Sequence, residues 1–377
     1  MTEKKKVLSL VLTYKLGGTA INSLRFIKNT KDLFDHFTIA HRVETDKDLL
    51  LRADYESHVK ECFDVDTSRF SINSLLRIMK IVYRVKPHIV HVNGKGGALY
   101  GFFIRILYLH RFRLFYTMRG FHIKYKGLIN TLHLFFEHLF NRLVTKAIAV
   151  SESEKLFYLK SIRRNGKRTV VIANGIEVKK RAIAEDIKDS IAKHTHNIVT
   201  LSRTDPQKDL VTMLNAFEMI PGNVGLHIMG GYVTDSVQHR RYKAEVVKLL
   251  ATLKCRDRVY FWGDVNHAGD LISHFDVYWS TAVFEGLPTA IIEAMMSRVL
   301  VVATNCRGNI DVVNSGQTGL ITEIRDVRDC KNAIIYALSI IGNEQHSAIL
   351  DNAFSLSQKF SIANNVKAIV ALYRRDN

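Results

Sequence analysis

The chain has 377 residues, 47% of them apolar and 24% charged, which is room and apolar content for two globular domains of ordinary size. Its net charge of +18 is uneven: from Arg77 to Lys146 thirteen lysines and arginines face a single carboxylate, Glu137. Cys62, Cys255, Cys306 and Cys330 form no Cys-x-x-Cys pair, which argues against a zinc site or disulfide framework, and no run reaches the roughly 18 apolar residues of a spanning helix.

In chain order, Met1–Lys6 lacks the apolar core of a signal peptide and leads straight into a strand, so the cytoplasm is the expected compartment. Short apolar, β-rich runs predict strands at 7–12, 88–92, 114–116, 147–150 and 170–172. More follow at 198–201, 225–229, 259–261, 277–279 and 299–303, with segments of helical period between them. This alternation predicts an α/β chain of parallel sheets covered by helices.

The first strand ends in Gly17-Gly18, a turn whose backbone amides can face an anion. Basic and aromatic residues then interleave, as in Phe102-Phe103-Ile104-Arg105. Such a surface suits an anionic membrane, a lipid diphosphate or a nucleic acid, and without a spanning segment the chain would lie on a membrane rather than cross it. Tyr116–His122 brings Arg119 and His122 to a strand end. A boundary is expected at Asn174-Gly175-Ile176, followed by a charged, weakly patterned stretch over 179–197.

The second half opens with Ser202-Arg203-Thr204-Asp205-Pro206-Gln207-Lys208-Asp209. After a strand and at a helix start, Arg203 as a fork and Lys208 as a point charge can neutralise a diphosphate leaving group. Trp262 closes another strand and either stacks on a base or packs in the core. In Thr304–Asp311, an Arg307–Asp311 pair would brace a loop.

The most informative segment is Phe284-Glu285-Gly286-Leu287-Pro288-Thr289-Ala290-Ile291-Ile292-Glu293. Gly286 lets backbone approach a ligand, and Pro288 is expected at the first helical position. The helix start offers amides and a positive dipole end to a phosphate. Glu285 and Glu293 beside it accept hydrogen bonds from hydroxyls. The segment therefore reads as a clamp for a sugar on a diphosphate.

Glu285 and Glu293, with seven residues between them and Gly-Leu-Pro after the first, resemble the signature of the family 4 retaining glycosyltransferases. That resemblance implies the GT-B architecture, two Rossmann-like doubly wound domains facing a central cleft. It implies that Glu285 holds hydroxyls of the donor sugar and Glu293 the ribose, with Gly286, Leu287, Pro288 and Thr289 against sugar or phosphate. Arg203 and Lys208 match the family's Gly-Arg-x-x-x-x-Lys-Gly element, with Ser202 and Asp209 in place of its glycines. Gly17 and Gly18 would face donor phosphates and acceptor. Thr117–His122 is similar to the Thr-x-His-Gly-Phe-His of a bacterial surface-polysaccharide subgroup, with Arg119 for the first histidine and His122 matching the second. Ser68-Arg69-Phe70 also resembles that subgroup. Trp262 falls in the segment that lines the nucleobase pocket.

The expected domains are 1–175, an acceptor-binding half; 176–355, a nucleotide-sugar half; and 356–377, a helix crossing back, with the turn home beginning near Asn343. The expected activity is retaining transfer of a hexosyl or N-acetylhexosaminyl group from a nucleotide-diphosphate sugar, by preference a uridine diphosphate. No Asp-x-Asp motif stands in a suitable place, so no metal or other cofactor is expected beyond the nucleotide sugar as co-substrate. The subgroup points to O-antigen or capsule assembly, with a saccharide on undecaprenyl diphosphate as acceptor, an anionic inner-leaflet surface as partner, no nucleic acid, and a place at the cytoplasmic face of the membrane. The alternatives are a GT-B nucleotide-sugar epimerase, or a basic lipid- or nucleic-acid-binding protein acting by charge alone.

Overall fold

The structure is a computed structural model and describes residues 3–14, 18–41, 46–67, 70–108, 111–123, 127–233 and 236–375. Gly17 and the Ser68-Arg69 pair lie outside the described residues. The chain divides into two compact units, 1–175 with 362–377, and 176–361.

The first unit holds β1 (Lys5–Thr13), α1 (Gly18–Lys28), β2 (Phe34–His41), α2 (Asp46–Glu56), β3 (Glu61–Asp64), α3 (Ile72–Val85), β4 (Ile89–Asn93) and α4 (Gly94–Tyr108). It continues through β5 (Arg113–Thr117), α5 (Gly127–Leu143), β6 (Lys146–Ala149), α6 (Glu152–Ile162) and β7 (Thr169–Val171). Among the described residues its seven strands are parallel, in the order β3-β2-β1-β4-β5-β6-β7. Alternate residues along each strand feed two cores. Leu8, Val92, Leu114 and Tyr116 pack under α3, α4, α5 and α6, whereas Val7, Ile89, Phe115 and Ile148 face the opposite way, with Phe26 of α1. Caps fix helix starts locally: the Ser71 and Ser151 hydroxyls accept from the amides of Ser74 and Glu154 at 3.1 and 3.2 Å.

The second unit runs α7 (Glu185–Ile191), β8 (His196–Leu201), α8 (Leu210–Glu218), β9 (Val224–Met229), α9 (Val237–Thr252), β10 (Val259–Gly263) and α10 (Ala268–Leu271). Then come β11 (Val277–Ser280), α11 (Thr289–Met296), β12 (Leu300–Thr304), β13 (Leu320–Thr322), α12 (Val327–Ile340) and α13 (Glu344–Ser357). Among the described residues its six parallel strands run β10-β9-β8-β11-β12-β13. Trp279 and Phe217 are wholly buried in its core. Both sheets are doubly wound and Rossmann-like.

All ten expected strands are present, with ends shifted by at most two residues. β2, β3 and β13 were not expected. β2 alternates buried and half-buried residues and places His36 and Thr38 inside, and β3 and β13 are edge strands of four and three residues. The weakly patterned 179–197 stretch contains α7. The return to the first unit begins later than expected, because α13 packs on α11 and Ser361 still bridges to Ile176. Only α14 (Ile362–Arg374) joins the first unit. There the Tyr373 hydroxyl lies 2.5 Å from His91 Nδ1, and His91 Nε2 lies 2.7 Å from Thr117 Oγ1. Burial lowers the His91 pKa to about 3, so the ring is neutral and bridges as one donor and one acceptor.

Candidate functional site

In the second unit two loops are stitched together. The first follows β8, where Ser202 N–H donates to the Met229 carbonyl at 2.9 Å. Asp205 shapes the turn by accepting from Gln207 N–H on Oδ1 at 2.9 Å and from Lys208 N–H on its carbonyl at 2.8 Å. Asp209 then caps α8 at φ 48°, its carboxylate accepting from the Thr212 N–H at 3.4 Å and from the Thr212 hydroxyl at 2.7 Å. This left-handed position is where glycine is usual, and the capping bond lets an aspartate occupy it. The second loop joins β11 to α11. Gln207 carries the stitching: its side-chain amide donates to the Phe284 carbonyl, and its own carbonyl accepts from Val283 N–H, both at 2.8 Å. The Thr281 hydroxyl lies 2.9 Å from the carbonyls of both Lys208 and Asp209.

The consequence is an ion pair. Lys208 Nζ lies 2.5 Å from Glu285 Oε1, with 24% and 13% of the side chains exposed. Glu285 is held from behind as well, because its N–H donates to the Arg307 carbonyl at 2.8 Å and Gly308, at φ 92°, packs against its Cβ. Arg307 thus braces the loop through its backbone carbonyl. Arg203 is 59% exposed, with Asp205 3.7 Å away. Helix α11 begins at Thr289; Pro288 is its N-cap, one residue earlier than expected, since the Pro288 carbonyl already accepts from Ile292 N–H at 3.2 Å. No side chain caps this helix start. Gly286 and Leu287 form the bend before it.

Glu293 projects from α11 towards Gly269 of α10, where an added Cβ would stand 2.5 Å from Glu293 Oε2. Beneath the two glutamates lies Tyr278, whose phenol pKa is driven up by burial and by the charges of Glu285 and Glu293. Burial also pushes the Cys306 thiol up to about 11, so it stays protonated beside Glu285 and Lys208. Gly230 and Gly231 line the neighbouring strand ends: Gly230 N–H donates to the Gly263 carbonyl at 2.7 Å, and Gly231 N–H to Asp264 at 2.8 Å. A Cβ on Gly230 would collide with the Ser202 carbonyl. Gly230, Gly231, Gly269 and Tyr278 carry no local signal in the sequence, whereas Gln207, inside the Arg203–Lys208 element, and Gly308, inside Thr304–Asp311, stand in motifs that gave neither of them a role. Trp262 belongs to an aromatic row. Its indole N–H donates to His227 Nδ1 at 3.3 Å, and its ring is stacked with His227 and Tyr260.

In the first unit, Arg119 adopts φ 58° and donates from Nε to Asn93 Oδ1 at 3.1 Å and from its guanidinium to Asn174 Oδ1. Burial draws its pKa down to about 10, so it remains a cation. It borders a cavity of about 30 Å³ shared with Ser9, Asn22, Asn93, Asn174 and Asn365, room for a water or two. Gly120 and Phe121 donate their amides to Glu154 Oε1 at 2.6 and 2.5 Å, and Lys95 Nζ donates to the His122 carbonyl at 2.6 Å. His122 Nδ1 lies 3.0 Å from the Gly120 carbonyl. Gly18 opens α1, and its carbonyl accepts from the Asn22 amide at 2.7 Å. The structure therefore gathers Arg203, Lys208, Glu285 to Thr289 and Glu293 in one unit, and Arg119, His122 and Gly18 in the other.

Residues 195–340 match the family described as Glycosyl transferases group 1. Over 322 residues the chain is 22% identical to the UDP-Gal:alpha-D-GlcNAc-diphosphoundecaprenol alpha-1,3-galactosyltransferase of Escherichia coli, covering 80% of this chain and 79% of that protein. It is 26% identical to the capsular polysaccharide biosynthesis glycosyltransferase CapM of Staphylococcus aureus, covering 70% of each. Its fold is shared with Anabaena Alr3699/HepE, solved with UDP and glucose, at TM-score 0.83 and 18% identity over 98% of this chain and 99% of that one.

Proposed function

We propose, for a chain that is a glycosyltransferase of the group 1 type, the retaining transfer of a hexosyl or N-acetylhexosaminyl group from a uridine diphosphate sugar to a saccharide on undecaprenyl diphosphate. The observation that carries this reading is the Lys208–Glu285 pair set beside the uncapped start of α11, with Glu293 on the same helix.

The anomeric C–O bond to the diphosphate breaks as the sugar becomes oxocarbenium-like, and charge grows on the leaving oxygen. Arg203, Lys208 released from Glu285 as the donor binds, and the first amides of α11 stabilise that charge. Glu285 accepts hydrogen bonds from donor-sugar hydroxyls and holds the ring in the reacting orientation. Glu293 accepts from the ribose. The acceptor hydroxyl attacks from the face the diphosphate leaves. Its oxygen forms the new bond to the anomeric carbon, and its proton passes to a diphosphate oxygen. Uridine is supported by the UDP in the Anabaena structure, and the lipid-linked acceptor by the name of the Escherichia coli relative. Surface-polysaccharide assembly is supported by the name of the Staphylococcus aureus relative.

The test is thermal stability against a panel of nucleotide diphosphates and nucleotide sugars, beside Glu293→Ala. A ligand that binds only the folded chain raises the melting temperature. Stabilisation by UDP or a UDP-sugar, lost in the variant, is the expected result. No stabilisation by any nucleotide overturns the reading.

A further inference from the structure

Helices α3, α4 and α5 lie side by side over one face of the first sheet. The Tyr108 hydroxyl of α4 donates to the Met79 carbonyl of α3 at 2.8 Å, and Phe102 of α4 meets Phe136 of α5 at 5.2 Å. Phe70, just before α3, stacks on Phe103 of α4 at 5.3 Å. Their inner faces are ordinary core. Their outer faces are apolar too. Ile72, Leu76 and Tyr83 are exposed along α3 at one helical stripe, Ile106 and Leu107 on α4, and Leu128, Ile129, Leu132 and Phe135 on α5. Leu128 is 74% exposed, Leu132 59% and Phe135 60%. Scattered exposed apolar residues need no explanation, but nine of them on three neighbouring helices do.

The charge pattern says what covers it. Arg77 and Lys80 flank the stripe on α3, and Arg111 and Arg142 stand exposed at the ends of α4 and α5. The one carboxylate between residues 77 and 146, Glu137, is wholly buried on the inner side of α5. A second copy of this face would oppose cation to cation. A nucleic acid would leave the aliphatic side chains without a partner. We propose that the outer layer of α3, α4 and α5 seats on an anionic bilayer, with Leu128, Leu132 and Phe135 among the acyl chains and the four cations at the headgroups. No helix among the described residues is long and apolar enough to cross a membrane, so the contact lies in the interface. This deepens the proposed function, because it brings the enzyme to the surface that carries a lipid-linked acceptor, and it rests on that reading.

The test is co-sedimentation of the full chain with vesicles of phosphatidylglycerol mixed with phosphatidylcholine, against phosphatidylcholine alone, at low and high salt. Two variants accompany it, Leu132→Ser/Phe135→Ser and Arg77→Glu/Lys80→Glu. Binding is expected with the anionic vesicles at low salt, weakened by salt, and lowered on the order of tenfold or more by each variant. Stabilisation by UDP in both variants reports an intact fold and donor site. If UDP stabilises but the wild type ignores anionic vesicles, the bilayer proposal fails and the transferase reading stands. If vesicles bind and no nucleotide stabilises, the face stands and the transferase reading fails. Binding lost only in the charge variant means adsorption without seating and overturns the proposal. A concentration-dependent dimer without lipid, abolished by Leu132→Ser/Phe135→Ser, assigns the face to a second copy and also overturns it.

Discussion

Lys208 Nζ sits 2.5 Å from Glu285 Oε1, although the two residues are 77 positions apart. Both are mostly shielded, so each charge depends on the other when no donor is bound. In the proposed reaction the lysine turns to the donor's phosphate and the carboxylate to its hydroxyls. Lys208→Ala and Glu285→Gln are each expected to lower kcat about 10²- to 10³-fold, and the double variant to be little worse than either. Turnover of the cognate nucleotide sugar measures this. Strict additivity would mean that the two side chains act independently.

Gly269 leaves space for the Glu293 carboxylate, and its Cβ would approach Glu293 Oε2 to 2.5 Å. Gly269→Ala is expected to displace that carboxylate and weaken UDP binding about tenfold, one good hydrogen bond's worth. Titration calorimetry with UDP checks it. Unchanged affinity would detach Glu293 from the nucleotide.

Much of this was legible before the structure, and the reasons are physical. Core strands such as Ile198–Leu201 and Val299–Ala303 are buried on both faces and read as unbroken apolar runs. β2 escaped because two polar residues, His36 and Thr38, sit inside it, where they hydrogen-bond with Thr30 and Tyr14. The Glu285–Glu293 spacing is local and could be read. The contacts that hold those glutamates are not: Gly269 and Gly308 meet them across the fold, and a glycine's spacing says nothing about the side chain it must admit. Arg119 resembled a substrate contact by position, and the structure gives it two asparagine partners, Asn93 and Asn174, at other strand ends. α7 was missed because its seven residues, Glu-Asp-Ile-Lys-Asp-Ser-Ile, offer two apolar positions to a periodicity search.

Gly308 combines φ 92° with a Cβ position 2.7 Å from the Glu285 carbonyl and Cβ. Gly308→Ala is expected to cost about 1–3 kcal/mol and to lower activity through Glu285. Gly18→Ala is the control. Nothing lies within 4 Å of its added Cβ, at the start of α1, and the change should stay within about 0.5 kcal/mol. Urea unfolding of both separates local strain from a general loss of glycine.

Glu137 is wholly buried on α5. Among the described residues its Oε1 has no hydrogen-bond partner, with His133 Nε2 3.7 Å away, and the Tyr158 hydroxyl is 3.4 Å from Oε2. Burial raises its pKa to about 7, against the smaller opposing pull of Lys95, Tyr158 and Tyr116. Between about pH 4.5 and 7 the folded chain therefore holds a proton that the unfolded chain has released. Stability from this group is present at low pH and falls as pH rises through that window, by up to about 3 kcal/mol. Burial lowers the pKa of His133 and of His36 to about 4, and these histidines act in the opposite sense, removing stability as pH drops below the ordinary histidine range. Comparison with Glu137→Gln isolates the carboxylate, because the histidines are common to both proteins. The variant is expected to match the wild type near pH 4.5 and to exceed it by about 1–3 kcal/mol near pH 8, measured by urea unfolding at both values. A difference that does not change with pH would mean that Glu137 is ionised in the folded chain throughout, and that the α5 layer tolerates a buried charge.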